Sequence, residues 1–114
     1  MKNKKMTSIM ELNHEGTKLW HINGVRHRED GPAVETWNGN VKEWWLNDLR
    51  HREDGPAETN SMSNDWWING KRHREDGPAI EHWNGFKQWY INDVEYTEQD
   101  YKLEMRSRKL KQLL

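Results

Sequence analysis

The chain has no cysteine, which excludes a disulfide framework, a thiolate nucleophile and any cysteine-based zinc site. No stretch approaches the roughly 18 consecutive apolar residues of a membrane span, and the first ten residues hold no apolar run that could act as a secretion signal. The expectation is a cytoplasmic protein with no membrane partner. Aliphatic and aromatic residues are scarce at 32% of 114, with a single phenylalanine. An ordinary thick core cannot be filled from that stock, and the length sets one domain. Positive charge is missing where a nucleic-acid binder needs it. Of the formal charge of -1, Lys2, Lys4 and Lys5 supply +3 and residues 98–114, with five basic and three acidic groups, supply +2; residues 7–97 therefore carry -6. Duplex nucleic acid is an unfavourable partner for such a body.

What the chain does have is tryptophan, eight in all, and a repeat. The string RHREDGPA occurs three times, at residues 26–33, 50–57 and 72–79. Around it the unit reads W-x-[IL]-N-[GD]-x-R-H-R-E-D-G-P-A, starting at Trp20, Trp44 and Trp66, with a degenerate fourth copy at Trp89 and a leading half unit over residues 8–18. Asn23-Gly24, Asn69-Gly70, Asn38-Gly39 and Asn84-Gly85, with Asn47-Asp48 and Asn92-Asp93, tolerate the positive φ of two-residue hairpin turns. Glu-Asp-Gly-Pro is expected to be a further turn or strand end. No helix-length crossover separates the strands, so they pair antiparallel. The fold class is mainly β: an antiparallel meander of about ten short strands in stacked β-hairpin repeats, followed by a C-terminal α-helix. Thr97 with Asp100 forms a capping-box-like start for that helix, which covers residues 98–112 and carries Arg106, Arg108, Lys109 and Lys111 near its end. Its apolar stripe, with Tyr101 and Met105 four apart and Leu103, Leu110 and Leu114 recurring at helical spacing, either caps the sheet or meets a partner. The organisation is a basic segment 1–7, a repeat domain 8–97 and a basic amphipathic helix 98–114.

Register separates two faces. A two-residue turn at Asn23-Gly24 sets Ile22 against Val25, His21 against Arg26 and Trp20 against His27. One face then gathers Trp20, Trp44, Trp66 and Trp89 with Ile22, Leu46, Ile68, Ile91 and the repeat histidines, the same residue types in every unit, as a stacked core requires. The other gathers His21, Trp45, Trp67 and Tyr90, which vary, across from Arg26, Arg50 and Arg72. Arg28, Arg52 and Arg74 are expected on this second face too. An arginine over an aromatic ring contributes roughly 0.5 to 1 kcal/mol when exposed. Such a strip resembles an interface hot spot, although the arginines also have Glu and Asp of neighbouring turns to pair with. Residues 60–65 lack the Trp-Asn-Gly of their counterparts, so Asn60, Met62 and Asp65 form a unique interruption suited to unique contacts.

Catalysis finds no support. Along a strand the His and Glu of His-Arg-Glu-Asp point one way while Arg and Asp point the other, and three equal copies fit no single active centre. One histidine per unit beside arginines is a poor zinc site, and no phosphate loop or nucleophile motif is present. Neither enzymatic activity nor a cofactor is expected.

The unit resembles the repeat proteins of W-x-x-N-G-x-x-H-R-E-D-G-P-A type that are common in tailed bacteriophages and large DNA viruses, and is related to MORN-repeat variants. The resemblance covers about residues 8–97. It implies hairpins stacked side by side and a role in binding. Tryptophan and Asp-Gly-Pro-Ala replace the Tyr and Gly positions of MORN repeats, so lipid binding does not carry over. The leading expectation is a module that binds a host or viral protein, such as a host defence enzyme that it inhibits, through Trp45, Trp67, Tyr90, His21, Arg26, Arg50 and Arg72 with Asn60, Met62 and Asp65. Alternatives are a small-anion or nucleotide-sequestering module and a structural homo-oligomer.

Overall fold

A computed structural model describes residues 7–114; the expected basic segment lies outside the described residues except for Thr7. Fourteen strands and one helix follow in order: β1 (Ile9–Leu12), β2 (Lys18–Ile22), β3 (Val25–Arg26), β4 (Val34–Glu35), β5 (Lys42–Glu43), β6 (Trp45–Leu46), β7 (Leu49–Arg50), β8 (Glu58–Thr59), β9 (Ser63–Asp65), β10 (Trp67–Ile68), β11 (Lys71–Arg72), β12 (Ile80–His82), β13 (Lys87–Ile91), β14 (Val94–Tyr96) and α1 (Glu98–Gln112). The protein is mainly β, and its described strand pairs are antiparallel. A sheet in the order β1-β2-β4-β5-β8-β9-β12-β13-β14, with β3 beside β2, is joined by the hairpins β6-β7 and β10-β11. Strands outnumber the expected ten, two of the additional ones arising because Trp44 and Trp66 each interrupt a longer strand.

The hairpin registers are those the turns dictate. His21 pairs with Arg26 and Ile22 with Val25, Trp45 with Arg50 and Leu46 with Leu49, and Trp67 with Arg72. Asn23, Asn47, Asp48, Asn69, Asn92 and Asp93 all have positive φ, which only the Asn/Asp/Gly group adopts at low cost. The Asn38-Gly39 and Asn84-Gly85 turns differ from expectation. The first closes through Thr36 N–H to Val41 O and the second through His82 N–H to Phe86 O, so these loops are longer than two residues and only the glycine is left-handed.

Between the hairpins, Trp20 holds both ends of the first HREDGPA segment. His27 N–H donates to Trp20 O and Trp20 N–H donates to Ala33 O, so residues 28–32 loop out as a large bulge. Trp44 and Trp66 do the same with His51 and Ala57 and with His73 and Ala79. The three alanines are 0% exposed, and no larger side chain fits without displacing its neighbours.

Each unit docks on the next by a repeated pair of bonds. Asp48 N–H, Gly70 N–H and Asp93 N–H reach Arg26 O, Arg50 O and Arg72 O, each at 2.8 Å. Asn47, Asn69 and Asn92 donate their N–H to Nδ1 of His27, His51 and His73 at 2.9 to 3.0 Å. The histidines are therefore struts between units, with the ring proton on Nε2 facing Glu29 or Glu53 in the first two units at 3.6 Å. The result is a slab of 46 × 45 × 17 Å, one sheet thick.

Helix α1 begins at the expected cap, where Thr97 Oγ1 accepts from Asp100 N–H at 3.1 Å, and it packs on β13 and β14. Tyr101 is buried and Met105 half-buried toward the sheet, so the first half of the helix caps the last unit, whereas Leu103, Leu110 and Leu114 of the expected stripe are exposed.

Candidate functional site

Two faces and one rim of the slab carry chemistry. On the first face the repeated arginines fold back over the repeated tryptophans: the guanidinium carbons of Arg28, Arg52 and Arg74 lie 3.9, 4.0 and 3.8 Å from the ring centroids of Trp20, Trp44 and Trp66. Each guanidinium also closes its own bulge, through Nε to Asp30, Asp54 or Asp76 and through Nη1 to Pro32 O, Pro56 O or Pro78 O. A Cβ on Gly55 would come within 2.9 Å of Arg52 Cζ, so any side chain there requires the guanidinium to shift from its place in the bulge. This corrects the expectation that Arg28, Arg52 and Arg74 join the variable face. The strand ends at Arg26, Arg50 or Arg72, and strand alternation does not extend into the bulge.

On the second face, six of the expected residues interleave. Arg26 and Arg50 flank the Trp45 ring at 5.2 and 4.8 Å, Arg50 and Arg72 flank Trp67 at 5.3 and 4.9 Å, and Arg72 reaches Tyr90 at 5.5 Å. The order is Arg26, Trp45, Arg50, Trp67, Arg72, Tyr90. Trp45 and Trp67 are half-buried between cations; Tyr90 is buried, and burial first, then the Glu95 carboxylate, raises its phenol pKa above the ordinary value. His21 lies beyond this series and shares a hydrogen bond with Glu11 Oε1 at 2.9 Å.

The repeats diverge beneath this row. Register places Glu43 across from Glu58, Glu58 across from Asp65, and Asp65 across from Ile80. Arg50 therefore pairs with two carboxylates, Glu58 at 3.2 Å and Glu43 at 3.8 Å, while Glu43 also accepts from Trp45 Nε1 at 2.8 Å. In the next unit Asp65 is one methylene shorter and accepts from Ser63 Oγ, and Ile80 stands where Glu58 would. Trp67 Nε1 is out of solvent contact with no hydrogen-bond partner among the described residues, unlike Trp45 Nε1. Arg50 Nε and Arg72 Nε likewise make no hydrogen bond of good geometry, although Arg50 Nε has Glu58 within ion-pair distance. Asp65→Glu is expected to reach Trp67 Nε1 as Glu43 reaches Trp45, raising stability by about 1 kcal/mol. Equilibrium denaturation measures this, and a loss of stability rejects the explanation.

The expected interruption at residues 60–65 is half regular. Asn60 Oδ1 organises a tight turn by accepting from Met62 N–H and Ser63 N–H, and Ser63–Asp65 form β9. Met62 stands 63% exposed at the tip while Asn60 and Asp65 are half-buried. Met62 has company that sequence reasoning missed. Trp37 and Trp83, in the corresponding turns, are 76% and 77% exposed, and Phe86 is 60% exposed. Trp83 N–H donates to Met62 O, so adjacent tips touch. The signal was present in the sequence, since Trp37 and Trp83 directly precede turn dipeptides and belong to neither strand face.

Finally, the bulges on the first face bound grooves. One of about 750 Å³ lies between the first bulge and Trp44 and Leu46; a second of about 480 Å³ lies between the second bulge and Trp66 and Ile68. In the third such position Tyr101 of α1 donates its hydroxyl to Arg74 O and accepts from Gly77 N–H at 3.3 Å. Burial raises the pKa of this phenol above the ordinary value, against the lowering by the Gly77 N–H. Among the described residues no group of three or more His, Asp or Glu side chains could hold a metal ion, and no helix is long and apolar enough to cross a membrane. No protein-family model, curated protein or solved structure matches the chain.

Proposed function

We propose that the chain is a non-enzymatic β-repeat module that binds a protein, with the turn tips Trp37, Met62, Trp83 and Phe86 as contact residues and the Arg and Trp row as a rigid flank. The observation that carries this reading is the exposure of Trp37 and Trp83 at 76% and 77%. Indole and phenyl rings held out in water cost solubility and give this fold little packing in return; such groups are what interface hot spots are built from. The likeness of the repeat unit to those of phage and large-virus proteins supports a host factor, such as a defence enzyme inhibited by the contact, in the host cell's cytoplasm. The small-anion alternative is weaker because Arg50 already has two carboxylates and Arg28, Arg52 and Arg74 are bound within their own bulges.

The test is affinity purification of the tagged chain from its natural host cell, with mass spectrometry of what is captured. Trp37→Ala combined with Trp83→Ala is expected to lose the captured protein by more than tenfold while the melting temperature stays within about 2 °C, since surface changes are nearly neutral for stability. Undiminished capture removes the turn tips from contention.

A further inference from the structure

We infer that the groove between the second bulge and the third unit is a docking site for a basic helix of a partner protein that presents a tyrosine. The inference rests on the protein-binding reading and names for it a surface and a partner chemistry.

The chain supplies its own precedent. Its three bulges are built from identical residues, and the third is filled by α1. There Tyr101 places one oxygen between Arg74 O and Gly77 N–H, and the helix leaves Ile91 on the groove floor 1% exposed. At the second bulge the equivalent atoms are Arg52 O and Gly55 N–H, and neither has a hydrogen-bond partner among the described residues. The equivalent floor residue, Ile68, is only half-buried. The second groove thus keeps the donor, the acceptor and the apolar floor that a tyrosine on a helix satisfies in the third, and keeps them vacant.

Charge narrows the occupant. Glu53, Asp54, Glu75 and Asp76 line this groove with Arg52 and Arg74. The two arginines are paired with Asp54 and Asp76, so Glu53, its side chain 85% exposed, and Glu75 leave the rim with an acidic excess. The helix in the third position carries Lys102, Arg106, Arg108, Lys109 and Lys111. Lys102 and Arg108 pair within the helix, while the excess of basic over acidic groups complements the acidic rim, where a helix of net negative charge would be repelled. A second copy of this chain is the poorer candidate, because its Tyr101 is already buried in its own third position.

A synthetic peptide of residues 97–114, added to the isotope-labelled full-length chain, is the probe. The Gly55 amide resonance is expected to shift saturably while Gly77 stays in place. Tyr101→Phe in the peptide is expected to weaken binding about tenfold, as loss of a hydroxyl bonded on both sides does. Glu53→Lys with Glu75→Lys in the labelled chain, both at exposed positions, is expected to weaken it about fivefold at low salt. A motionless Gly55 at millimolar peptide, shifts confined to Gly77, or equal binding of the phenylalanine peptide each overturns the proposal. So does a concentration-dependent Gly55 shift without peptide, which assigns the groove to a second copy. A negative titration alongside capture that depends on Trp37 and Trp83 rejects the groove alone; loss of that dependence rejects the broader reading.

Discussion

Trp66→Ala is expected to destabilise the protein by about 3 kcal/mol, the largest effect of any exchange at a repeat tryptophan. The reason is the thinness of the slab. With no second layer, the interior near this residue consists of Ala79, Ile80 and Tyr90, and Trp66 packs directly against it. Removing the indole also strips Arg74 of the ring it covers at 3.8 Å and leaves that guanidinium over a void. Backbone bonds from Trp66 to Ala79 and His73 survive the exchange, so the loss measures the side chain. Trp37→Ala is the control, since its ring is mostly in water. Urea denaturation of both variants checks the contrast, and a loss below about 1 kcal/mol at Trp66 removes it from the core.

Arg50→Met follows, with an expected loss of about 2 to 3 kcal/mol. Glu43 and Glu58 are register partners with side chains only 17% and 18% exposed, and Asp65 lies directly across from Glu58. Without Arg50 these carboxylates face one another in a partly desolvated strip. Adding Glu58→Gln removes one of the repelling charges and is expected to restore at least half of the loss. Arg72→Met is expected to cost about 1 kcal/mol, because Arg72 forms no described ion pair and contributes mainly its contacts over Trp67 and Tyr90. Equal losses at the two arginines would show that stacking, and not the carboxylate pair, sets their importance.

These two arginines mark the limit of what could be read from the chain. Within the repeated octamer Arg50 and Arg72 have identical neighbours, and their difference lies in Glu58 against Ile80, brought to them by strands whose pairing the hairpin turns fix. Hairpin register was legible because Asn23-Gly24, Asn47-Asp48, Asn69-Gly70 and Asn92-Asp93 adopt two-residue turns of positive φ, and alternation then assigns Trp45, Trp67 and Tyr90 to one face. The same dipeptide at Asn38-Gly39 and Asn84-Gly85 closes longer loops. Alternation held as far as His27, which faces Trp20 as the register requires, and failed at Arg28, which enters the bulge and turns back over Trp20. The same limit hid Trp37 and Trp83, because a residue in a turn belongs to neither face. The helix was legible from Thr97 and Asp100, but Tyr101 completing the third bulge was not. That contact needs the backbone of residues 74–77, which the helical pattern does not describe. The spacing of 22 residues in place of 24 before the third octamer also has a local cause. Asn60 N–H closes on Ser63 O where Thr36 N–H closes on Val41 O, so the two missing residues come out of a turn and the ladder is undisturbed.

Because Tyr101 seals the final bulge, α1 acts as an end stop for an array whose internal joints are interchangeable. Lengthening such a chain means inserting whole hairpin-and-bulge blocks upstream of the helix, and every block so inserted brings one more unsealed cradle with it. If the unsealed grooves take a partner helix as proposed, copy number in this architecture sets valency independently of the strength of any single contact.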